Sequence, residues 1–234
     1  LDNLQDLNVT DVFYKGKLVD RNAPIRVKTC GRALKHTVHL DKVKAEQFVL
    51  PIGKKKTHVI GINPSQITTE DLAVSLPPAA NYVPTDGYSK VAAVERHHNT
   101  GKIGVAVAKG YGIRNGAVAS SVSHDSHNII VIGDNDRDMA LAVDEIIRTQ
   151  GGYTVVENGE VFETLPLPIM GLMSDAGFES VNETLGRMIK KAHEMGVPAD
   201  IEPFITLSFL ALPVIPTLRI TPRGLCLLTA KGPE

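Results

Sequence analysis

Two periods alternate along this chain: a period of two in short runs of Val, Ile and Ala, and a period near 3.6 in two longer stretches. Residues 91–95, 103–109, 117–122 and 128–133 are predicted strands, and 26–38 and 57–62 join them through β-branched and apolar alternation between Gly and Pro. Asp134, Asn135 and Asp136 can cap a helix running to about Gln150, with Met139, Val143, Ile146 and Ile147 on one face and Gly151-Gly152 ending it. Its acidic start suits the positive end of the helix dipole. A second helix is marked by Phe178, Val181, Leu185, Met188, Ile189 and Ala192, spaced as one buried stripe, with Gly196 and Pro198 to stop it. Residues 153–156 and 161–165 flank Asn158-Gly159, the dipeptide that favours a two-residue hairpin turn.

The first residues carry another hairpin, 9–14 and 17–19 around Lys15-Gly16. A lone hairpin of that size is marginal in water, so it is expected to join a sheet. No internal repeat or low-complexity tract interrupts the rest. The expectation is an α+β (mixed α/β) fold with mostly antiparallel sheets, flanking helices and a short N-terminal β-appendage.

Composition narrows the function classes. With 234 residues the chain can bury a sizeable core. Hydrophobic residues make up 43% and the formal net charge is −1, which argues against disorder and against electrostatic capture of nucleic acid. A small-molecule partner is the better default. The chain lacks the run of roughly 18 apolar residues that a membrane span needs, and its opening residues lack the plan of a signal peptide. No membrane partner is expected, and a cytoplasmic location is. Cys30 and Cys226, the two cysteines, are far apart and read as reduced thiols.

The polar loop between the predicted strands 117–122 and 128–133 holds the candidate chemistry: Ser123, His124, Asp125, Ser126, His127 and Asn128. Neutral imidazoles and a carboxylate can ligate metal, and two histidines three residues apart can converge on a loop. The same residues also read as a turn in which Asp125 and the serines satisfy backbone amides. A hydrolase triad is disfavoured, because nucleophile, base and orienter must meet in space and sequence neighbours rarely can. Glu95, His97 and His98 form a second cluster, for which a strand end with one histidine packed and one exposed is the alternative. His36 and His39 are set aside, since strand alternation would split them between faces. Gly110, Gly112 and Gly116 do not make a dinucleotide fingerprint, because Asn115 stands where a glycine is required. Residues 165–174, with two prolines, read as a buried, stiff connection.

Four stretches carry a wider likeness: residues 95–104 (ERHHNTGKIG), 116–136 (GAVASSVSHDSHNIIVIGDND), 165–175 (LPLPIMGLMSD) and 203–225 (PFITLSFLALPVIPTLRITPRGL). They resemble the C-terminal domain of the bacterial adenine deaminases, of the metal-dependent amidohydrolase superfamily. Residues 6–19 resemble the closing strands of the β-sandwich that accompanies the amidohydrolase barrel. The resemblance implies two parts, 1–22 as the end of that sandwich and 23–234 as the C-terminal domain, in a chain that begins as though something upstream had been removed.

It further implies hydrolysis of adenine to hypoxanthine and ammonia by a metal-activated water, with manganese or iron as the cation and a carboxylate passing a proton to the leaving amine. The family's principal ligands begin with a His-x-His pair in the barrel. This chain contains no His-x-His, so its metal is expected in the barrel and the chain alone is expected to be inactive. Within the chain, His124, Asp125 and His127 are the catalytic candidates, and Glu95, His98, Ser123 and Asn128 the substrate-binding candidates, facing the barrel mouth. Expected partners are adenine, the barrel and further copies in a homo-oligomer. Two other classes stay open: a structural or oligomerisation domain, using the apolar stretch 203–216 as interface, and a purine-binding module without chemistry.

Overall fold

A computed structural model of the chain describes residues 1–20, 22–23, 30–85, 87–229 and 232–233. The N-terminal hairpin forms as expected, with β1 (Phe13–Tyr14) and β2 (Lys17–Leu18) joined by Lys15 and Gly16 at φ 49° and 75°. Both strands are exposed, and they pair with no other strand among the described residues.

An eight-stranded sheet organises the rest. Its strands are β3 (Thr57–Ile62), β4 (Thr69–Val74), β5 (Tyr88–Val94), β6 (Ile103–Lys109), β7 (Gly116–Ser120), β8 (Ile129–Gly133), β9 (Gly152–Glu157) and β10 (Glu160–Pro166). Their order is β10-β9-β7-β8-β5-β6-β3-β4, antiparallel throughout except where β3 runs parallel to β6. Both faces are covered, which is why β7 and β8 are buried at every residue and read as continuous apolar runs.

Alternation sorts the side chains into two layers. Ala92, Val94, Ile129 and Val131 meet α1 (Asp136–Thr149) through its buried Met139, Ala142, Val143 and Ile146. Asn135 caps that helix by accepting the Asp138 N–H at 2.9 Å, and Gln150 ends it in the left-handed region at φ 59°. Val91, Ala93, Ile130 and Ile132 face the opposite layer: α2 (Phe178–Glu194), α3 (Pro203–Leu210) and the strand β11 (Leu218–Thr221). β11 pairs with β12 (Gly224–Thr229), and β12 with β13 (Gly232–Pro233), in a small second sheet. The Asn158-Gly159 turn joins β9 to β10 with φ of 52° and 82°. β10 carries a bulge between Val161 and Glu163 and ends at Pro166.

The structure corrects three expectations. Residues 26–29 of the strand predicted over 26–38 lie outside the described residues, but 30–38 hold a 3-10 turn, Arg32–Lys35, and no strand. Side chains replace the ladder there: the Gln150 amide accepts from the Val38 N–H and donates to its carbonyl, at 3.2 and 3.4 Å. On α2 the buried stripe consists of Met188 and Ala192, supported by Val181, Leu185 and Ile189, while Phe178 is 70% exposed. The third is α3, where the apolar stretch 203–216 turns Phe204, Leu207 and Leu210 into this chain's own core. No helix among the described residues is long and apolar enough to cross a membrane.

Candidate functional site

The predicted polar loop lies between the end of β7 and the start of β8, at one end of the central strands. Its shape comes from backbone bonds to other elements. The His124 N–H donates to the Ser208 carbonyl of α3 at 3.0 Å, and the His127 N–H to the Ser123 carbonyl at 2.6 Å. His127 takes the left-handed conformation at φ 50°. The His97 ring nitrogen Nε2 lies 2.8 Å from the Ser126 carbonyl oxygen, tying the loop after β5 to the tip of this one.

Arg96, two residues beyond the end of β5, holds the assembly from inside. Only 2% exposed, its guanidinium donates to the carbonyls of His127, Met170 (3.0 Å) and Thr37 (3.2 Å). Its own N–H meets Asn128 Oδ1 at 3.3 Å. Burial lowers the Arg96 pKa to about 10, which still leaves the group cationic at neutral pH. Gly171 must be glycine for this contact, because a Cβ there would stand 2.6 Å from the guanidinium. The connection 165–174 is thereby fixed to the loop, and Ser121 fixes it again through a 2.6 Å bond to the Gly171 carbonyl.

The catalytic candidates do not converge. His124 is 40% exposed, its ring tilted by 31° against that of Phe209 with centroids 5.1 Å apart, and Asp125 is 82% exposed with Oδ1 3.7 Å from His124 Nδ1. His127 turns the other way, half-buried beside Arg96, with its ring 6.2 Å from that of His124. Among the described residues no three His, Cys, Asp or Glu side chains are placed to hold a metal ion. Ser123 is fully buried, and its hydroxyl, like His127 Nδ1, has no hydrogen-bond partner within the described residues. His36 and His39 are both exposed.

Burial, the Arg96 guanidinium and His124 hold the His127 imidazole below its ordinary value of 6.5, outweighing the pull of Asp125. The folded chain therefore keeps His127 neutral while the unfolded chain takes the proton more readily, so stability falls as pH drops from about 6.5 toward the lower folded value. Replacing His127 with Asn, which tolerates the left-handed backbone, removes this contribution. Melting temperatures measured between about pH 7.5 and about pH 5.5 are expected to fall more steeply for the natural protein than for His127→Asn. Parallel curves would mean that His127 carries no such linkage.

The substrate-binding candidates fare differently. Glu95, His98 and Asn128 line one cavity of about 620 Å³, together with Thr100, Lys102 and the β11–β12 turn. Ser123 is fully buried and does not line that cavity. Burial pushes the Glu95 carboxyl up, but bonds from the His97, Thr100 and His98 amides and the Thr100 hydroxyl outweigh it and hold the group below the usual carboxylate range. Glu95 is thus the clamp of its own loop. Sequence reasoning missed Arg96, since an arginine at a strand end ordinarily reads as a solvated charge.

The model of the adenine deaminase C-terminal domain family matches residues 66–231 of the chain. The chain is similar to "Adenine deaminase" of Desulfitobacterium hafniense (strain Y51), 49% identical over 226 residues, which are 96% of this chain and 40% of that protein. It is likewise similar to "Adenine deaminase" of Nitratidesulfovibrio vulgaris (strain DP4), 45% identical over 231 residues, and to "Adenine deaminase 2" of Carboxydothermus hydrogenoformans, 40% identical over 230. Each again covers 96% of this chain, which spans about 40% of the length of these relatives.

Proposed function

This chain belongs to the adenine deaminase C-terminal domain family, and on that premise we propose that it works as part of an enzyme that hydrolyses adenine to hypoxanthine and ammonia. The observation carrying this reading is the identity of 49% sustained over 96% of the chain. The manganese or iron of the reaction is proposed to sit in an amidohydrolase barrel of a longer protein, a reading supported by the relatives, of whose length this chain spans about 40%. That metal would supply a water acidic enough to attack at neutral pH.

The chain's own share is the wall that closes over the purine. His124 and Asp125, with Ser126, are open to solvent, and His124 is steadied by Phe209. A purine needs donors and acceptors at its edge and exclusion of bulk water, and an imidazole beside a carboxylate supplies both hydrogen-bonding senses. His127 and Ser123, turned inward, shape the loop instead. The competing reading, an oligomerisation face over 203–216, loses much of its apolar surface to this chain's core, with Ile205 and Val214 left exposed.

Ammonia release from adenine with manganese present tests the reading. Activity is expected only from a protein extended upstream through the barrel, and activity in the 234-residue chain would overturn the assignment of the metal. In the longer enzyme, His124→Ala and Asp125→Ala are each expected to lower turnover about tenfold or more while leaving stability within about 0.5 kcal/mol. Unchanged turnover in both would remove the loop from the active site.

A further inference from the structure

The cavity beside the polar loop has a chemistry that adenine does not use. Its volume of about 620 Å³ is that of a small-molecule site. Lys102, just before β6, and Arg223 on the β11–β12 turn stand on its wall, and neither forms an ion pair with a described residue. The one carboxylate on the wall, Glu95, spends both oxygens on amides and a hydroxyl of its own loop. Pro213, Pro222 and Leu225 supply apolar surface on the same wall. Asn128, only 8% exposed, lines the wall and receives the Arg96 N–H on Oδ1, and its amide nitrogen donates to no described residue.

Free cations, an apolar surface and one buried amide suit an anion attached to a flat heterocycle. Adenine is uncharged at neutral pH and leaves both cations idle. We propose that this cavity binds a nucleoside monophosphate, with the phosphate between Lys102 and Arg223 and the base over Pro222 and Leu225 toward Asn128. Every residue the inference uses lies among the described residues, and it is argued from this cavity's own chemistry and not from the function proposed above.

Calorimetry on the 234-residue chain with adenosine monophosphate, adenine and inorganic phosphate tests it. The monophosphate is expected to bind at least about tenfold tighter than either fragment, since only it uses both walls. Lys102→Glu and Arg223→Glu, both at exposed positions, are each expected to weaken it about 30-fold. Cys226 lies in the same wall, so in a Cys30→Ser background the monophosphate is expected to slow alkylation of the remaining thiol. Adenine binding as tightly as its monophosphate would overturn the proposal in favour of a neutral purine site. Affinity unchanged by both charge reversals, or absence of binding with full alkylation, would also overturn it.

Discussion

Arg96→Met is expected to destabilise the domain by about 4 kcal/mol, enough to consume a large part of the stability a domain of this size has. The residue it removes makes no ion pair among the described residues; it serves the carbonyls of His127, Met170 and Thr37, drawn from three separate segments. Methionine fills much of the volume but donates nothing, so buried acceptors are stranded, each at a cost of roughly 1–3 kcal/mol. Arg96→Lys is the informative companion. A single ammonium has no planar fork and cannot reach three divergent carbonyls, so most of the loss is expected to remain. Urea unfolding monitored by circular dichroism measures it; a midpoint corresponding to less than about 1 kcal/mol of loss would show that the carbonyls find water instead.

The second large effect concerns Gly104 on β6. A Cβ there would lie 2.0 Å from the Thr221 carbonyl oxygen and 2.6 Å from the Gly224 nitrogen. These are backbone atoms of the β11–β12 turn, which no rotamer change can move aside. Gly104→Ala is expected to destabilise by about 3 kcal/mol, at the upper end for overpacking, and to lift the turn that carries Arg223. Monophosphate binding should weaken with it. Gly186 on α2 is the control: a Cβ there meets nothing within 4 Å, and Gly186→Ala is expected to stabilise by about 1 kcal/mol through helix propensity. Thermal unfolding of the two variants side by side separates a local clash from a general intolerance of alanine; equal shifts would contradict the packing argument.

Much of the sheet was legible because its residues obey one period at a time. The strands containing 91–94, 103–109 and 129–133 announce themselves by Val, Ile and Ala, and α1 by an Asx cap and a Gly-Gly stop. α3 escaped because it is apolar on nearly every side and carries no polar face from which to read a period. β11 hides behind Arg219, a fully buried cation whose guanidinium serves the carbonyls of Ile215, Phe209 and Ile67. The strand reading of 26–38 fails over its described part for the complementary reason, since side chains of Gln150 and Arg96 do there what a neighbouring strand would have done.

For the candidate site, residue types were readable and directions were not. Within one six-residue loop, His124 and Asp125 face solvent, Ser123 and His127 turn inward, and Asn128 joins a cavity with Glu95 and His98. Those directions follow from bonds to Ser208 on α3 and to Arg96 after β5, partners far away in sequence. The arginine itself sits inside the quoted stretch 95–104, where nothing distinguishes a clamp from an ordinary surface charge.

The bulge in β10 has a bearing on what its exposed flank can pair with. An exposed strand flank is a template on which a second molecule can lay its own backbone. Here an incoming strand would lose step between Val161 and Glu163, meet the Glu163–Arg187 ion pair, and find no amide hydrogen at Pro166. Edge-to-edge addition of a second copy is disfavoured on that flank by three features together, the bulge, the ion pair and the proline.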